Sequence, residues 1–362
     1  MLKQQKIFFD FLRFCIGSTK EIPGSLKEVD WKELYAIAQK QCLVGVLFDG
    51  IKKLPAEHVG MKKELLLQWM AESQMLEKAN VRLNDAAIQV SEWFRKKGFR
   101  TCILKGQGNA LMYPNPCSRT PGDIDIWVEG GDKRVISFVR SISPHEKVCY
   151  HHIEFPSYKG VEVEVHYRPS FLLCFWHNRK LQKYYERMKE EQFSHRVMLG
   201  EQGEIAIPAA EFNLIFQLTH IYAHLMNEGI GLRQLLDYYY VLISDDLLLI
   251  RDRVQKELKE LGLLKFAEGI MYIMQEVFGM PASRLIVPPN EKYGKFVLNE
   301  VLEAGNFGKH DERNRFGRSK LGHNLQRVYL DIRLVRYYPA EALSEPFFRT
   351  WHFFWAVTTQ IR

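Results

Sequence analysis

The chain has 362 residues, of which 46% are hydrophobic and 13% aromatic, enough for a substantial core in two or three packed units. It contains no charge-free run of about 18 apolar residues, and Asp10 and Arg13 interrupt the apolar N-terminal stretch. We therefore expect no membrane span, no signal peptide and a cytoplasmic location.

Positive charge is concentrated near one end of the chain. The formal net charge is +7, and eight Lys or Arg against three Asp or Glu lie between Lys309 and Arg336. Such a surplus is typical of a solvated helical face, or of a segment that binds a phosphate-bearing partner such as a nucleotide or RNA. The six cysteines form no C-x-x-C pair, so we predict reduced thiols and no zinc.

The spacing of apolar residues divides the chain into three regions. Residues 1–97 predict helices, because apolar side chains recur every three or four positions. Residues 98–204 contain short β-branched and aromatic runs, FRTCIL, GDIDIWV, VCYHHIEF, GVEVEVHY and FSHRVML, which predict strands, with a hairpin near Ser157–Gly160. Residues 205–362 return to the helical pattern. We predict an α+β fold, a small mixed β-sheet core flanked by N-terminal and C-terminal helical regions.

Two predicted strands carry carboxylates on a single face. Alternation groups Asp123 with Asp125 in GDIDIWV, and Glu162 with Glu164 and His166 in VEVEVHY. If the strands are neighbours, three or four carboxylates converge, and these like charges repel one another unless cations bind them. Oxygen ligands suit Mg²⁺, and two such ions would hold the attacking and leaving oxygens of a phosphoryl displacement. Spacing alone does not choose between Glu162 and Glu164.

A glycine-rich turn precedes the aspartates. In LKGQG, Gly106 and Gly108 follow a predicted strand and open a short helix, whose N-terminal N–H groups can face an anion. Lys105 can reach phosphate groups bound at this helix N-terminus. Arg119, four residues before Asp123, can reach them as well. The alternative is an ordinary glycine turn that binds nothing.

Three histidines belong to the same predicted strands. His166 lies on the carboxylate face, where it contacts a phosphate, orients Glu164 or is a satisfied core histidine. His151 and His152 alternate, so we expect at most one of them to point into the site.

The C-terminal helical region offers further candidates. His220 and His224, four residues apart on one helix, have the spacing of a metal pair but no evident third ligand, so we predict a polar helix face that lines the cleft. Asp237 lies four residues after Arg233, which is the spacing of an ordinary helical ion pair.

Together these motifs resemble the DNA polymerase beta-like nucleotidyltransferase superfamily, and more closely its bacterial branch of uncharacterised nucleotidyltransferase family proteins. That branch has a strand ending in L-K-G, a helix ending in Tyr-Pro, an arginine ahead of G-D-[IV]-D, and an acidic-x-His strand followed by an aromatic residue. The matching residues are Leu104-Lys105-Gly106, Tyr113-Pro114, Arg119, Gly122-Asp123-Ile124-Asp125 and Glu164-Val165-His166-Tyr167. The segments THIYAH and LRQLLDYY resemble the later helices of the family.

The resemblance implies roles for the matched residues. By it, Asp123 and Asp125 bind Mg²⁺, and Glu164 is the third carboxylate, which binds metal or takes the proton of the acceptor hydroxyl. The acidic-x-His match favours Glu164 over Glu162, which stays a candidate for contact with the substrate together with His220 and Asp237.

The nucleotide would lie at the glycine turn. The resemblance assigns Lys105 and Gly106 to the triphosphate, with Arg119 and His166 as further nucleotide contacts. The chain departs from the superfamily here, because Gln107 follows Gly106 where Gly-Ser or Gly-Gly is usual.

The resemblance implies a Mg²⁺-dependent nucleotidyltransferase that moves a nucleoside monophosphate from an NTP to an acceptor hydroxyl of a small molecule, an RNA or a protein. Two alternatives remain open at this point. One is a nucleotide- or RNA-binding protein that keeps the fold without turnover, and the other is a toxin-like nucleotidyltransferase that modifies a tRNA or a protein.

Overall fold

The computed structural model describes residues 3–201, 203–244, 247–305 and 320–360. The helices are α1 Lys3–Cys15, α2 Trp31–Lys40, α3 Val44–Lys52, α4 Lys63–Lys96, α5 Gln107–Ala110, α6 Gly131–Ile142, α7 Phe175–Ser194, α8 Ala210–Asn227, α9 Leu232–Leu242, α10 Leu247–Glu260, α11 Leu264–Glu276, α12 Glu291–Ala304, α13 Lys320–Val335 and α14 Pro339–Gln360. The strands are β1 Thr101–Ile103, β2 Ile124–Val128, β3 His152–Tyr158, β4 Val161–His166, β5 Arg196–Met198 and β6 Glu204–Ala206. The predicted α+β fold class is confirmed.

The main sheet has four strands in the order β1-β2-β4-β3. Strands β2 and β4 are parallel, and β1 and β3 run antiparallel to their neighbours at the two edges. The sheet is therefore mixed, as predicted, and the two strands that carry the carboxylates lie side by side. Strands β5 and β6 form a separate two-stranded ribbon.

Strands β3 and β4 form the predicted hairpin. Its turn is Lys159-Gly160, where both residues have positive φ, 53° and 78°, as a two-residue type I′ turn requires. Pro156 cannot donate to a ladder, and the sheet accommodates it because β3 is an edge strand with irregular register after Phe155. The strand begins at His152, four residues later than the run VCYHHIEF predicts.

Both faces of the sheet are covered at its central strand β2. On one face, Ile124, Ile126 and Val128 join a core with residues of α4 and α6. On the other, Trp127 packs against Phe193 of α7 and Phe212 of α8, with ring centroids 4.6 and 5.7 Å apart. All five residues of β2 are buried as a result. At Trp127 the acidic face of the sheet is thus covered by α7 and α8.

Helices from both ends of the chain share the larger core, which includes Phe8 and Phe11 of α1 and Phe266 of α11. Polar contacts join the same regions: the Gln41 side chain donates to the Val301 carbonyl and accepts from the Leu232 N–H. The predicted boundaries after residues 97 and 204 stay predictions.

Strand β6 spans only three residues, too few for an alternation pattern, and was not predicted from the sequence.

In the described part of the chain, no helix is both long enough and apolar enough to cross a membrane.

We predict that Trp127→Ala lowers the free energy of unfolding by about 3–5 kcal/mol, because it empties a space between two buried rings. Urea denaturation followed by circular dichroism measures this loss. Trp176→Ala is the matched control, since its side chain is 75% exposed and should change stability by less than about 0.5 kcal/mol. Equal losses in the two variants would contradict the packing described.

Candidate active site

Three carboxylates from two strands meet at one end of the sheet. Asp123 directly precedes β2, Asp125 lies within it, and Glu164 lies opposite Asp125 in the parallel register of β4. An oxygen of each residue lies within 4.8 Å of an oxygen of both others. The convergence depends on the parallel pairing, because a one-residue shift would turn one set of side chains to the other face.

Asp125 is held by two cationic side chains. Its Oδ1 accepts from Lys105 Nζ at 2.8 Å and from His166 Nε2 at 2.9 Å. Burial alone would raise the pKa of Asp125, but Lys105 and His166 hold it well below its ordinary value. Asp125 is therefore ionised, and its Oδ2 has a lone pair available for a ligand.

His166 carries a proton on both ring nitrogens. Nε2 faces the Asp125 and Glu164 carboxylates, the latter at 3.3 Å, and Nδ1 faces the Arg168 carbonyl at 3.4 Å. Carboxylates and carbonyls only accept, so both nitrogens donate. Burial lowers the pKa of His166, but the hydrogen bonds to the two carboxylates raise it by more than burial lowers it. The resulting pKa is about 9.

Asp123 is the least compensated carboxylate of the three. The charge of Asp125, and then burial, raise the pKa of Asp123 above its ordinary value. The cations Lys105 and His166 oppose three carboxylates, which leaves the cluster one negative charge in excess. An arrangement of oxygen ligands with uncompensated charge fits a divalent cation such as Mg²⁺.

Lys105 also contacts a helix of the C-terminal region. Its Nζ donates to His220 Nε2 at 3.2 Å, so that His220 is neutral and its remaining proton is on Nδ1. Burial, and then Lys105, hold the pKa of His220 well below its ordinary value. Lys105 thus joins the sheet to α8 at the carboxylates.

The glycine turn has a backbone that favours glycine. Gly106 has φ +58°, and it precedes a helix, α5, of only four residues. Gly106 and Lys105 both line the cavity above the carboxylates.

A buried ion pair fixes the segment that leads into Asp123. The Arg119 guanidinium donates to Asp237 through Nε and through a terminal nitrogen, both at 2.8 Å, and the Tyr113 hydroxyl donates to the same carboxylate at 2.7 Å. Arg233 donates to the Thr120 carbonyl at 3.0 Å rather than pairing with Asp237. These contacts anchor residues 119–120 to α9.

The carboxylates lie in a cavity of about 520 Å³ between the sheet and the C-terminal helices. The sheet and its loops contribute acidic and imidazole side chains, and α8, α9, α13 and α14 form the facing wall. Residues of that facing wall include Gln217, His220, Gln234, Arg327, Phe348 and Arg349. The volume is of the size that ligand sites commonly have.

A model of the uncharacterised nucleotidyltransferase family matches residues 27–279, more than two thirds of the chain. The chain belongs to this family. The matched residues include both carboxylate strands and helices α8 and α9, but the α13 and α14 wall of the cavity lies beyond them.

Other comparisons add little to this assignment. An antigenic nucleotidyltransferase-like protein from Paracoccidioides brasiliensis, known from a crystal structure, is 15% identical with a TM-score of 0.29, over 51% of this chain and 92% of that one. A comparison with curated proteins finds no match.

Most of the predicted site residues of this family member lie together. The cavity is lined by Asp123, Asp125, Glu164, Lys105, Gly106, Arg119, His166, His220 and Asp237. Glu162 is exposed and lies outside the group of three carboxylates. Arg119 and Asp237 face the cavity from its wall, where they form an ion pair with each other.

The expectation for His151 and His152 is wrong, because both line the cavity. His151 lies before the first residue of β3, where strand alternation does not apply. The two rings lie 4.5 Å apart and both approach His166, at 5.2 and 5.3 Å. Burial and then the neighbouring His166 lower the pKa of His152 to about 4, so it is neutral.

Sequence reasoning missed the contribution of the last two helices. Arg327, Phe348, Arg349 and His352 reach the cavity, and no local motif marks them. Of the basic segment between Lys309 and Arg336, residues 309–319 lie outside the described residues.

We predict that Arg119→Met lowers the free energy of unfolding by about 3–5 kcal/mol, because Asp237 would remain as a buried charge without its partner. The double variant Arg119→Met/Asp237→Leu should recover much of this loss, since no isolated charge remains. Chemical denaturation of the two single variants and the double variant measures the coupling. Additive losses would show that the pair is not coupled.

Proposed function

We propose that this family member is a Mg²⁺-dependent nucleotidyltransferase that moves a nucleoside monophosphate from an NTP to an acceptor hydroxyl. The convergence of Asp123, Asp125 and Glu164 within a large cavity carries the proposal. Family membership supports the reaction class, and the cavity has room for a nucleotide beside the carboxylates.

The residues present fit the metal that the reaction class implies. Asp123, Asp125 and Glu164 would hold Mg²⁺ through oxygen atoms, and the uncompensated charge at Asp123 supports this assignment. When bound, Mg²⁺ neutralises charge that develops on the transferred phosphoryl group and on the leaving group.

The other side chains would position the reactants. His166 fixes Asp125 and Glu164 together through Nε2, so neither carboxylate has to rotate to bind a ligand. Lys105 is the cation nearest the cluster on the side of the glycine turn, and in this proposal its ammonium and the Gly106 backbone contact the triphosphate.

The proposed reaction forms one bond and breaks another. The acceptor oxygen bonds to the α-phosphorus, the bond from that phosphorus to the bridging oxygen breaks, and pyrophosphate leaves. The acceptor proton passes to Glu164 Oε1, because His166 and His152 both face the other oxygen, Oε2.

The four α-labelled NTPs are incubated separately with the protein, Mg²⁺ and cell extract. The proposal predicts that at least one of them transfers its label to an acceptor. Asp123→Asn should abolish the transfer, whereas Glu162→Gln should retain it, because Glu162 lies on the same strand as Glu164 but outside the cluster. Equal labelling by wild type and Asp123→Asn would refute the assignment. Tight NTP binding with no labelled product would instead favour a binding protein without turnover.

Mg²⁺ should raise the thermal unfolding temperature of the wild-type protein, because a ligand that binds only the folded state stabilises it by about 2.7 kcal/mol at 100 times its Kd. Glu164→Gln should remove this shift and Glu162→Gln should keep it. Differential scanning fluorimetry over a Mg²⁺ titration makes the measurement. A shift of equal size in all three proteins would place the metal elsewhere.

A further inference from the structure

A second cavity, of about 590 Å³, opens beside the first one on the surface of the protein. Its walls are one face of α7 and one face of α14, and we call it the α7–α14 groove. Tyr150 and Phe348 line both cavities, so the groove lies directly beside the proposed active site.

One wall of the groove is a row of side chains along α7. Phe175, Arg179 and Lys183 follow one another at intervals of four residues, and such residues lie on one face of a helix. The row spans about 12 Å at 1.5 Å per residue. It therefore presents one ring and two cations in line.

The two cations of this row are available to a ligand. Arg179 and Lys183 are exposed, and within the described parts of the chain neither forms an ion pair with an acidic side chain. Glu186 is the acidic residue that lines the groove beside them. Arg168, also in the groove, is already paired with Asp132 at 2.9 Å.

The opposite wall and the floor are aromatic. Phe348 and Trp351 of α14 lie 5.7 Å apart, and Tyr150 on the floor lies 5.2 Å from Phe348 and 5.6 Å from Trp351. Asn178 fixes the floor by donating to the Tyr150 hydroxyl at 2.8 Å. Trp351 stays 40% exposed and Phe175 44% exposed, so their rings are accessible from the groove.

We propose that the α7–α14 groove binds a single-stranded polynucleotide and leads its terminal hydroxyl into the active site as the acceptor. This inference rests on the proposed function. Cations that follow a backbone and rings on which bases stack are the two elements by which proteins hold single strands. A polynucleotide also carries the hydroxyl that the transfer consumes.

Charge favours a nucleic acid over an apolar partner. A peptide or lipid surface that covered the rings alone would desolvate Arg179 and Lys183 without supplying counter-charges, which costs free energy. Phosphates pair with these cations while the bases cover the rings. Both α14 rings lie beyond the residues that the family model matches, so only this wall of the groove comes from the C-terminal part of the chain.

The test measures binding alone, without NTP or Mg²⁺, by fluorescence anisotropy of a labelled oligouridylate and its deoxy counterpart over a range of salt. Arg179→Gln/Lys183→Gln should lower the slope of log affinity against log salt by about 1.4, since each lost phosphate contact removes about 0.7. Lys62→Gln/Lys63→Gln is the matched control, because it removes the same charge from exposed residues that line neither cavity, and its slope should not change.

Trp351→Ala provides a second, independent readout. Loss of a stacking ring should weaken binding about tenfold while the salt slope stays that of the wild type. Thermal unfolding of each variant confirms that it is folded. Wild-type affinity and slope in both groove variants would overturn the inference, and so would binding of anionic lipid vesicles without binding of either oligonucleotide.

The same measurement separates this inference from the proposed function. Asp123→Asn tests the transfer step and the groove variants test binding, because Asp123 does not line the groove. If label transfer depends on Asp123 but the groove variants bind normally, the function holds and the groove inference fails. If the groove variants lose binding but Asp123→Asn still transfers label, the opposite conclusion follows.

Discussion

The parallel pairing of β2 with β4 is the constraint on which the site depends. It places Asp125 opposite Glu164 and brings Asp123, one residue before β2, to the same end of the sheet. Two like charges on adjacent strands destabilise a pairing when nothing compensates them. Here the apolar residues of the same strands are buried on the other face and hold the register. The sheet therefore stabilises an arrangement that its own acidic residues oppose.

Lys105 and His166 neutralise only part of the negative charge of the three carboxylates. Both cations engage a single oxygen of Asp125, so they satisfy the most buried carboxylate and leave Asp123 under repulsion. A site that was fully neutral in itself would gain little from a divalent ion. The excess negative charge would favour such an ion, and the two fixed cations limit the negative charge of the site on its own.

The sequence predicted those parts of the molecule that local patterns encode. Strand alternation grouped Asp123 with Asp125 and Glu162 with Glu164, and the family resemblance favoured Glu164. The hairpin turn and the mixed sheet followed from short-range signals. Three features were beyond its reach. The partner of Asp237 is Arg119, more than a hundred residues away, rather than Arg233 one turn away. Both imidazoles of His151 and His152 enter the cavity because the strand begins later than its composition indicates. The α13 and α14 wall depends on tertiary contacts that no spacing encodes.

Trp127 lies on the acidic face of the sheet, and its ring is covered by α7 and α8. A fragment consisting of the sheet region alone would contain every proposed metal ligand. It would, however, expose the apolar surface around Trp127 to water on the face that carries these ligands. The smallest piece able to keep those carboxylates in register must bring helices from downstream with it. The proposed metal ligands and the helices that cover Trp127 therefore form one structural unit, and moving either part alone into another protein would not transfer the site.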